Sequence, residues 1–238
     1  MEHSFEPILR TGLASMGLPA EEAAIGQMKA YASFLLERNQ VMNLTAITDP
    51  AAVAQLHFLD SAALLKAAPL QNARVIDVGT GAGFPGVPLK LLEPSVRLTL
   101  LDSQRKRVDF LREGMERLDL TDVICIQARA EEQSRAEGWR ESFDCAVSRA
   151  VADLRVLLEL CLPFVRVGGV FLAMKSVHCE EEIDGARRAV AQLGGMWRTP
   201  FCYTLLDGTP RQILVIEKKK ETPLKYPRRF AKIQKEPL

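Results

Sequence analysis

The 238-residue sequence predicts an α/β protein with a mostly parallel β-sheet, preceded by a helical N-terminal region. Three observations support this fold class. Short apolar runs alternate with helical segments from residue 73 onward, a glycine cluster follows the first of these runs, and a hairpin pattern closes the series. Strands that alternate with helices form parallel sheets whose two faces are both covered.

Helical periodicity dominates the chain up to about residue 68. Pro19 and the acids that follow it are typical of a helix start, and apolar residues then recur at helical spacing. Asn43-Leu44-Thr45 interrupts the pattern, and Thr48-Asp49-Pro50 predicts the cap of a further helix. We therefore expect a helical region over residues 1–70.

The α/β domain is expected over residues 71–217. Helical spacing of Val108, Leu111 and Met115 predicts a helix over 104–118. Asp207-Gly208 is a turn sequence between two strand-like runs and predicts a closing hairpin. The predicted parallel strands are 74–78, 96–101, 122–127, 143–147 and 168–174.

Residues 218–238 form a basic tail. Eight of its residues are Lys or Arg, two are Glu and three are Pro. Proline excludes a long helix here, so we expect the tail to lie along the surface or to be mobile.

The bulk composition is typical of a soluble cytoplasmic protein. Formal net charge is +1, so the chain as a whole has no strong attraction for polyanions. Five widely spaced cysteines without a C-x-x-C pair favour neither a disulfide framework nor a zinc site, and we expect no metal. No run approaches the length of a membrane span, and the first residues do not resemble a secretory signal.

The glycine cluster in RVIDVGTGAGFPG, residues 74–86, has two interpretations. Gly81 to Gly86 fits the G-x-G-x-x-G pattern of dinucleotide sites, whereas Asp77 to Gly83 fits the D-x-G-x-G-x-G pattern of S-adenosylmethionine methyltransferases. In both, glycines let the backbone approach the ligand and an acid on the next strand binds a ribose. Asp102 is suitably placed for either cofactor.

Three features favour S-adenosylmethionine. Asp77 would attract a cationic cofactor and repel a pyrophosphate. Pro85 and Pro88 remove amide donors that a pyrophosphate would need at the helix start. An antiparallel end to a parallel sheet is more typical of methyltransferases than of dehydrogenases. The sequence therefore predicts a class I S-adenosylmethionine-dependent methyltransferase, a Rossmann-like sheet with an antiparallel last strand and an N-terminal helical extension.

The fourth predicted strand is followed by Ser148-Arg149-Ala150, and these residues limit the kinds of atom that the enzyme could methylate. Methylation of exocyclic amines typically uses an [N/D]-P-P-[Y/F] run there, ribose methylation uses an acid and a lysine, and pyrimidine C5 methylation uses a cysteine beside proline. None of these fits. An acceptor that is already nucleophilic, such as guanine N7, needs no general base, so catalysis would depend on proximity and electrostatics.

The motifs together resemble the bacterial 16S rRNA guanine-N7 methyltransferases, the methyltransferase G or glucose-inhibited division protein B family. The resemblance covers nearly the whole chain. It is carried by Asn43-Leu44-Thr45 and by the runs HFLDS (57–61), DVGTGAGFPG (77–86), LDSQRKRVDFL (101–111), ARAEE (128–132) and SRA (148–150). It implies S-adenosylmethionine as donor and, as acceptor, a guanine in the decoding region of the small-subunit RNA.

The resemblance also implies a set of site residues. For the cofactor it implies Gly79, Gly81, Gly83, Phe84, Asp102, Ala130, Glu131 and Arg149. Asp77, from its charge, and Ser103, beside Asp102, complete the expected cofactor residues. Asp102 would bind the ribose, and Ala130 with Glu131 would contact adenine. The alternative for Glu131, an ordinary acid in a helical first turn, is less favoured.

Basic residues are the candidates for RNA contact. Arg129 and Arg149 follow the third and fourth strands, where ligands of open α/β sheets bind. We expect both to serve catalysis through contact with the cofactor or the RNA, and Arg129 to bind RNA. The remaining RNA candidates are Lys175, Lys225, Arg228, Arg229, Lys232 and Lys235. Lys218 to Lys220 could contact the RNA backbone together with these residues or only solubilise the chain end. Tyr226 or Phe230 could stack on an unpaired base.

The sequence leaves open the roles of two residues and two alternative functions of the chain. His57 and Asp60 lie three apart on one helix face and either border the site or serve the fold. The chain could also methylate a small molecule or a protein, or be an RNA-binding assembly factor with a vestigial pocket. The expected partner is the small ribosomal subunit, bound by a monomer.

Overall fold

The computed structural model describes residues 4–149 and 152–238, so Ala150 of the SRA motif lies outside the described residues. Its sheet has eight strands in the order β3-β2-β1-β4-β5-β8-β6, with β7 also paired to β8. The strands are β1 Arg74–Val78, β2 Arg97–Asp102, β3 Ile124–Gln127, β4 Phe143–Arg149, β5 Val165–Ser176, β6 Gly195–Trp197, β7 Phe201–Thr204 and β8 Pro210–Lys218.

Strands β1 to β5 are parallel, and β8 runs antiparallel to β5, β6 and β7. Each predicted parallel strand overlaps an observed one, and the predicted hairpin is β7 and β8. The strand order reverses at β1, which has β2 on one side and β4 on the other. Ligands of open α/β sheets bind at the carboxyl ends of the strands beside such a reversal.

The helices follow the sequence prediction in the main, with one difference. They are α1 Phe5–Ser15, α2 Glu22–Met42, α3 Pro50–Val53, α4 Asp60–Ala62, α5 Leu64–Ala67, α6 Gly86–Leu92, α7 Arg105–Arg117, α8 Ala130–Gln133, α9 Leu154–Cys161, α10 Glu180–Gln192 and α11 Phe230–Lys235. Asp49 caps α3, as predicted, by accepting a hydrogen bond from the amide of Ala52. Instead of one continuous helix, a π-helical turn over Ala54–Leu59 separates α3 from α4. Such turns occur frequently at functional sites.

The N-terminal helices pack on one face of the sheet and support the glycine loop. Met28, Tyr31 and Leu35 of α2 belong to the same buried cluster as Val75 and Leu100 of the strands. The hydroxyl of Tyr31 donates to the carbonyl oxygen of Ala82 at 3.0 Å. The helical region therefore shares its core with the sheet, and it fixes the position of the loop after β1.

The tail packs against the α/β domain through buried residues. Strand β8 extends to Lys218, whose side chain is 0% exposed. Its ammonium donates to the carbonyls of Leu162 and Val165 and pairs with Glu141 at 3.0 Å. Lys218 is therefore a structural residue, and the prediction that it solubilises the chain or contacts RNA is wrong. Beyond it, Tyr226 and Ile233 are also buried, so the tail follows the surface while anchored in it.

The cysteines, possible metal ligands and helix lengths of the described residues bear on the expectations from composition. Cys145, Cys161 and Cys179 are buried free thiols, Cys125 is half-buried and Cys202 is exposed. Among the described residues no group of three or more His, Cys, Asp or Glu is arranged to hold a metal ion. Within residues 4–149 and 152–238 no helix is long and apolar enough to cross a membrane.

Candidate functional site

A cavity of about 490 Å³ lies at the carboxyl edge of the sheet. Its walls come from the segments that follow β1, β2, β3 and β4, joined by the π-helical turn and by the tail. Of the predicted site residues, it is lined by Gly79, Gly81, Phe84, Asp102, Ser103, Arg129, Ala130, Glu131 and Arg149. Chain folding thus brings residues as distant as Gly79 and Phe230 to one place.

The loop after β1 exposes its backbone to this cavity. Gly81 has φ +60°, and a Cβ on it would meet nothing within 4 Å, so this residue faces open space. Gly83 has φ +85° and is closely packed, because a Cβ there would lie 2.4 Å from the hydroxyl of Tyr31. Gly81 is therefore available to a ligand, whereas Gly83 is required by the packing beneath the loop and does not line the cavity.

Asp77 lies beneath the loop and does not line the cavity. Its Oδ2 accepts hydrogen bonds from the hydroxyl of Thr80 at 2.7 Å and from the amide of Gly86 at 2.8 Å. Burial raises its pKa to about 7, an effect that these two hydrogen bonds oppose, and its Oδ1 has no partner. Because the amide of Gly86 at the start of α6 is already bound, it cannot donate to a pyrophosphate. This contact supports the methyltransferase interpretation of the motif.

Asp102 ends β2 and lies in the cavity wall. Its two oxygens accept from the amides of Gly81, at 3.0 Å, and Gln104, at 2.8 Å. Arg107 is 3.5 Å from the same carboxylate. Each carboxylate oxygen has a further lone pair, so Asp102 can still accept from a ribose hydroxyl. Its position fits the predicted role.

The segment after β3 forms the opposite wall. Ala130 and Glu131 are buried, whereas the side chain of Arg129 is 56% exposed. Arg129 lies 3.9 Å from the carboxylate of Glu131, and its guanidinium is 6.0 Å from the ring centroid of Phe230. The tail therefore reaches the same wall as the ARAEE motif.

Arg149 is the central cation of the site. Its Nη1 donates to the carbonyl of Leu56 at 2.8 Å and lies 3.2 Å from Oδ2 of Asp60. Its Nη2 is 3.0 Å from Nδ1 of His57, and its guanidinium lies 5.3 Å from the ring centroid of Phe84. These contacts fix the arginine at the end of β4 and connect it to the π-helical turn.

His57 is held in one tautomer by its neighbours. Burial and the nearby charge of Arg149 lower its pKa to about 4, so the ring is neutral at pH 7. Since an arginine can only donate, Nδ1 accepts from Arg149, and Nε2 carries the proton that is shared with Thr45 Oγ1 at 2.9 Å. The ring also stacks on Phe84 at 4.6 Å between centroids. His57 therefore borders the site.

A second cavity of about 370 Å³ adjoins the first, because His57 and Arg149 line both. Asp60 lies in its wall, where its Oδ1 accepts from the hydroxyl of Tyr203 at 2.7 Å and is 3.7 Å from Arg211. Its other lining residues are Ile47, Leu56, Met174, Lys175 and Ser176. This cavity combines apolar side chains and one aromatic ring with cations and one carboxylate.

The predicted RNA-contacting residues lie in different environments. Lys175 is bound to Glu182 at 2.6 Å and to the carbonyl of Ala152, at the edge of the second cavity. Arg228 is bound to Glu159, which is 0% exposed. Neither charge is free for a phosphate without a rearrangement. The exposed candidates in the tail are Lys225, Arg229, Lys232 and Lys235.

Several residues of the two cavities were not predicted to serve catalysis or to bind the cofactor. Thr45 and His57 belong to the motifs that carried the family resemblance, so a signal for them was present in the sequence. Tyr203, Arg211 and Phe230 lie on the hairpin and the tail, and only the folded chain brings them to the carboxyl edge of the sheet.

Solved structures show the same fold at low sequence identity. A precorrin-6y C5,15-methyltransferase from Geobacter metallireducens aligns with a TM-score of 0.52 over 75% of this chain and 92% of its own, at 14% identity. A SAM-dependent methyltransferase from Aquifex aeolicus aligns with a TM-score of 0.53 over 73% and 96%, at 15% identity. These alignments confirm the predicted class I methyltransferase fold.

Curated relatives align over nearly the whole chain. "Ribosomal RNA small subunit methyltransferase G" of Pelotomaculum thermopropionicum is 47% identical and covers 97% of both chains. The protein of that name from Alkaliphilus metalliredigens is 46% identical over 97% of this chain and 98% of its own. The family described as "rRNA small subunit methyltransferase G" matches residues 24–202. With these matches added to the glycine loop, Asp102 and the Arg149 cluster, the chain belongs to the rRNA small subunit methyltransferase G family.

Proposed function

We propose that this chain transfers a methyl group from S-adenosylmethionine to N7 of one guanine in the decoding region of 16S rRNA, with the small ribosomal subunit as partner. Membership in the family establishes a methyltransferase that uses S-adenosylmethionine, as predicted from the sequence. It excludes the interpretation as a non-enzymatic assembly factor. We further propose that the enzyme acts as a cytoplasmic monomer.

The first cavity fits the donor. Gly79 lines the cavity and Gly81 faces open space, while Asp102 offers acceptor lone pairs for a ribose. Ala130 provides a small apolar surface for a base. Asp77 supports the loop from beneath rather than lining the cavity, because its Oδ2 accepts from the hydroxyl of Thr80 and the amide of Gly86. S-adenosylmethionine, when bound, supplies an activated methyl group on a sulfonium.

The junction of the two cavities at Arg149 and His57 is the observation that carries the proposal. A methyl transfer needs donor and acceptor in adjoining spaces, and these residues border both. The second cavity suits a purine, because Leu56 and the ring of Tyr203 provide apolar surface and Arg211 offers donors for a carbonyl such as guanine O6.

The chemistry requires positioning more than proton transfer. Guanine N7 has a free lone pair, so no group of the protein has to remove a proton. His57 is neutral and engaged at both ring nitrogens, and Arg149 is fixed by Leu56 and Asp60. The cluster is therefore suited to orient the acceptor in a rigid site, which lowers the barrier through proximity and preorganised charge.

The test is transfer of labelled methyl from S-adenosylmethionine to small subunits isolated from a strain that lacks this activity. We expect label at one guanine, located by chain cleavage specific for 7-methylguanine. Subunits that already carry the modification are the control and should accept no label. Label at another atom, or none despite cofactor binding, would refute the proposed acceptor. The remaining candidate would then be a methyltransferase of small molecules or proteins.

A further inference from the structure

The tail is held against the domain by contacts that fix its backbone. The guanidinium of Arg135 donates to the carbonyls of Leu224, Lys225 and Pro227, and that of Arg140 donates to those of Thr222, Pro223 and Tyr226. Backbone oxygens bound by fixed guanidinium groups leave the segment little freedom. The tail is therefore built into the fold as far as α11.

An ion pair with a fully buried carboxylate lies just before α11. Glu159 of α9 accepts from the amide and the guanidinium of Arg228, at 2.6 to 3.1 Å. Ile233, one turn further along, is also buried. Together they set the position of Phe230, the first residue of α11, in the wall of the first cavity.

The sheet order indicates which part of the cofactor Phe230 faces. Asp102, the proposed ribose acceptor, lies at the end of β2. On one side of β2 lie β1, followed by the glycine loop, and then β4, which ends at Arg149; on the other side lies β3. A base attached to that ribose extends to the other side, toward β3. The segment after β3 carries Ala130 and Arg129, and Arg129 lies over the Phe230 ring.

We propose that Phe230 is a cofactor-binding residue, which gives the adenine of S-adenosylmethionine an aromatic surface supplied by the C-terminal tail. This inference rests on the proposed cofactor site. It adds a role that the sequence did not predict, since the tail was expected to serve RNA. Base stacking on an aromatic side chain is insensitive to charge, so this role is separate from that of the tail's lysines.

The test compares two variants of the full-length protein by calorimetric titration with S-adenosylhomocysteine, which keeps the adenosyl group. Phe230→Leu keeps an apolar side chain but removes the ring, and we expect a Kd about tenfold higher. Phe230→Tyr keeps the ring and should stay within about twofold of the unchanged protein. Lys232→Ala, an exposed change on the same helix, is the matched control and should not alter the Kd.

The melting temperature of each free variant separates binding from folding. An affinity loss in Phe230→Leu that Phe230→Tyr does not share supports the inference. Equal Kd values for the unchanged protein and Phe230→Leu, or an equal loss in Lys232→Ala, would overturn it. If the unchanged protein itself binds no S-adenosylhomocysteine, the proposed cofactor site fails instead, so the two failures are distinguishable.

Discussion

Asp77 makes the stability of this protein depend on pH in a direction unusual for a carboxylate. Its side chain is 0% exposed, and burial raises its pKa from 3.8 to about 7. A raised pKa means that the folded protein retains a proton which the unfolded chain releases. Stability is therefore lost as the pH rises from about 4 to about 7, and the loss is constant above that range.

Asp77→Asn removes this titration while keeping an oxygen that can accept from Thr80 and Gly86. Each pH unit within the window corresponds to about 1.4 kcal/mol, so the shift to about 7 amounts to about 4 kcal/mol in total. From pH 5 to pH 8 the unchanged protein passes through the last two pH units of this window. Over that range we expect the free energy of unfolding of the variant to rise by about 3 kcal/mol relative to that of the unchanged protein.

The assay is urea unfolding of both proteins at several pH values, with linear extrapolation to water. Taking the difference between the two proteins cancels the titrations that they share. Asp184→Asn is the control, because that side chain is 71% exposed and should give a difference that stays flat. A flat difference for Asp77→Asn as well would show that Asp77 is ionised throughout, and it would refute the reasoning from burial.

Three further changes test other parts of the structure. Arg228→Ala leaves the buried Glu159 with only an amide partner, so we expect a loss of about 3 kcal/mol in the free energy of unfolding. The control, Arg187→Ala in an exposed pair, should lose less than about 1 kcal/mol, and equal losses would contradict the importance of the Glu159 pair. In Arg149→Lys the ammonium cannot reproduce the forked guanidinium that binds Leu56, Asp60 and His57, so kcat/KM for subunit methylation should fall about 100-fold. The control, Arg166→Lys in an exposed pair, should leave kcat/KM unchanged. Replacing Lys225, Lys232 and Lys235 by alanine should reduce the salt dependence of RNA binding by up to about two counterions while cofactor affinity stays the same; an unaltered salt slope would exclude phosphate contacts by these lysines.

Local patterns were sufficient for most of the fold. The strands at 74–78 and 96–101 and the helix at 104–118 were predictable because their apolar residues repeat with the period of the element. The Asp49 cap was predictable because it depends on residues within three positions. The π-helical turn was not predicted. It packs against α1 and its Leu56 carbonyl accepts from Arg149, and contacts between such distant parts of the chain leave no local pattern.

The candidate site divides in the same way. Gly79, Gly81, Asp102 and Arg149 were recognisable because they occupy fixed distances from strand ends. Asp77 was recognised too, yet the predicted contact with the cofactor gave way to a buried position under the loop, because its hydrogen-bond partners Thr80 and Gly86 enclose it. Lys218 was read from composition as a solvated charge, but the buried carbonyls it binds lie more than fifty residues away.

The sequence by itself determined the sheet, the glycine loop and the class of chemistry, because each depends on residue type and on spacing along the chain. Only the tertiary structure decided which charges are free and which residues from the hairpin and tail complete the cavities. Lys175 and Arg228 are neutralised by partners from other elements. Phe230 reaches the wall of the first cavity because α11 packs on α9 and its ring lies against Arg129. Charge pairing and cavity walls arise from distances in space, and a linear sequence does not contain those distances.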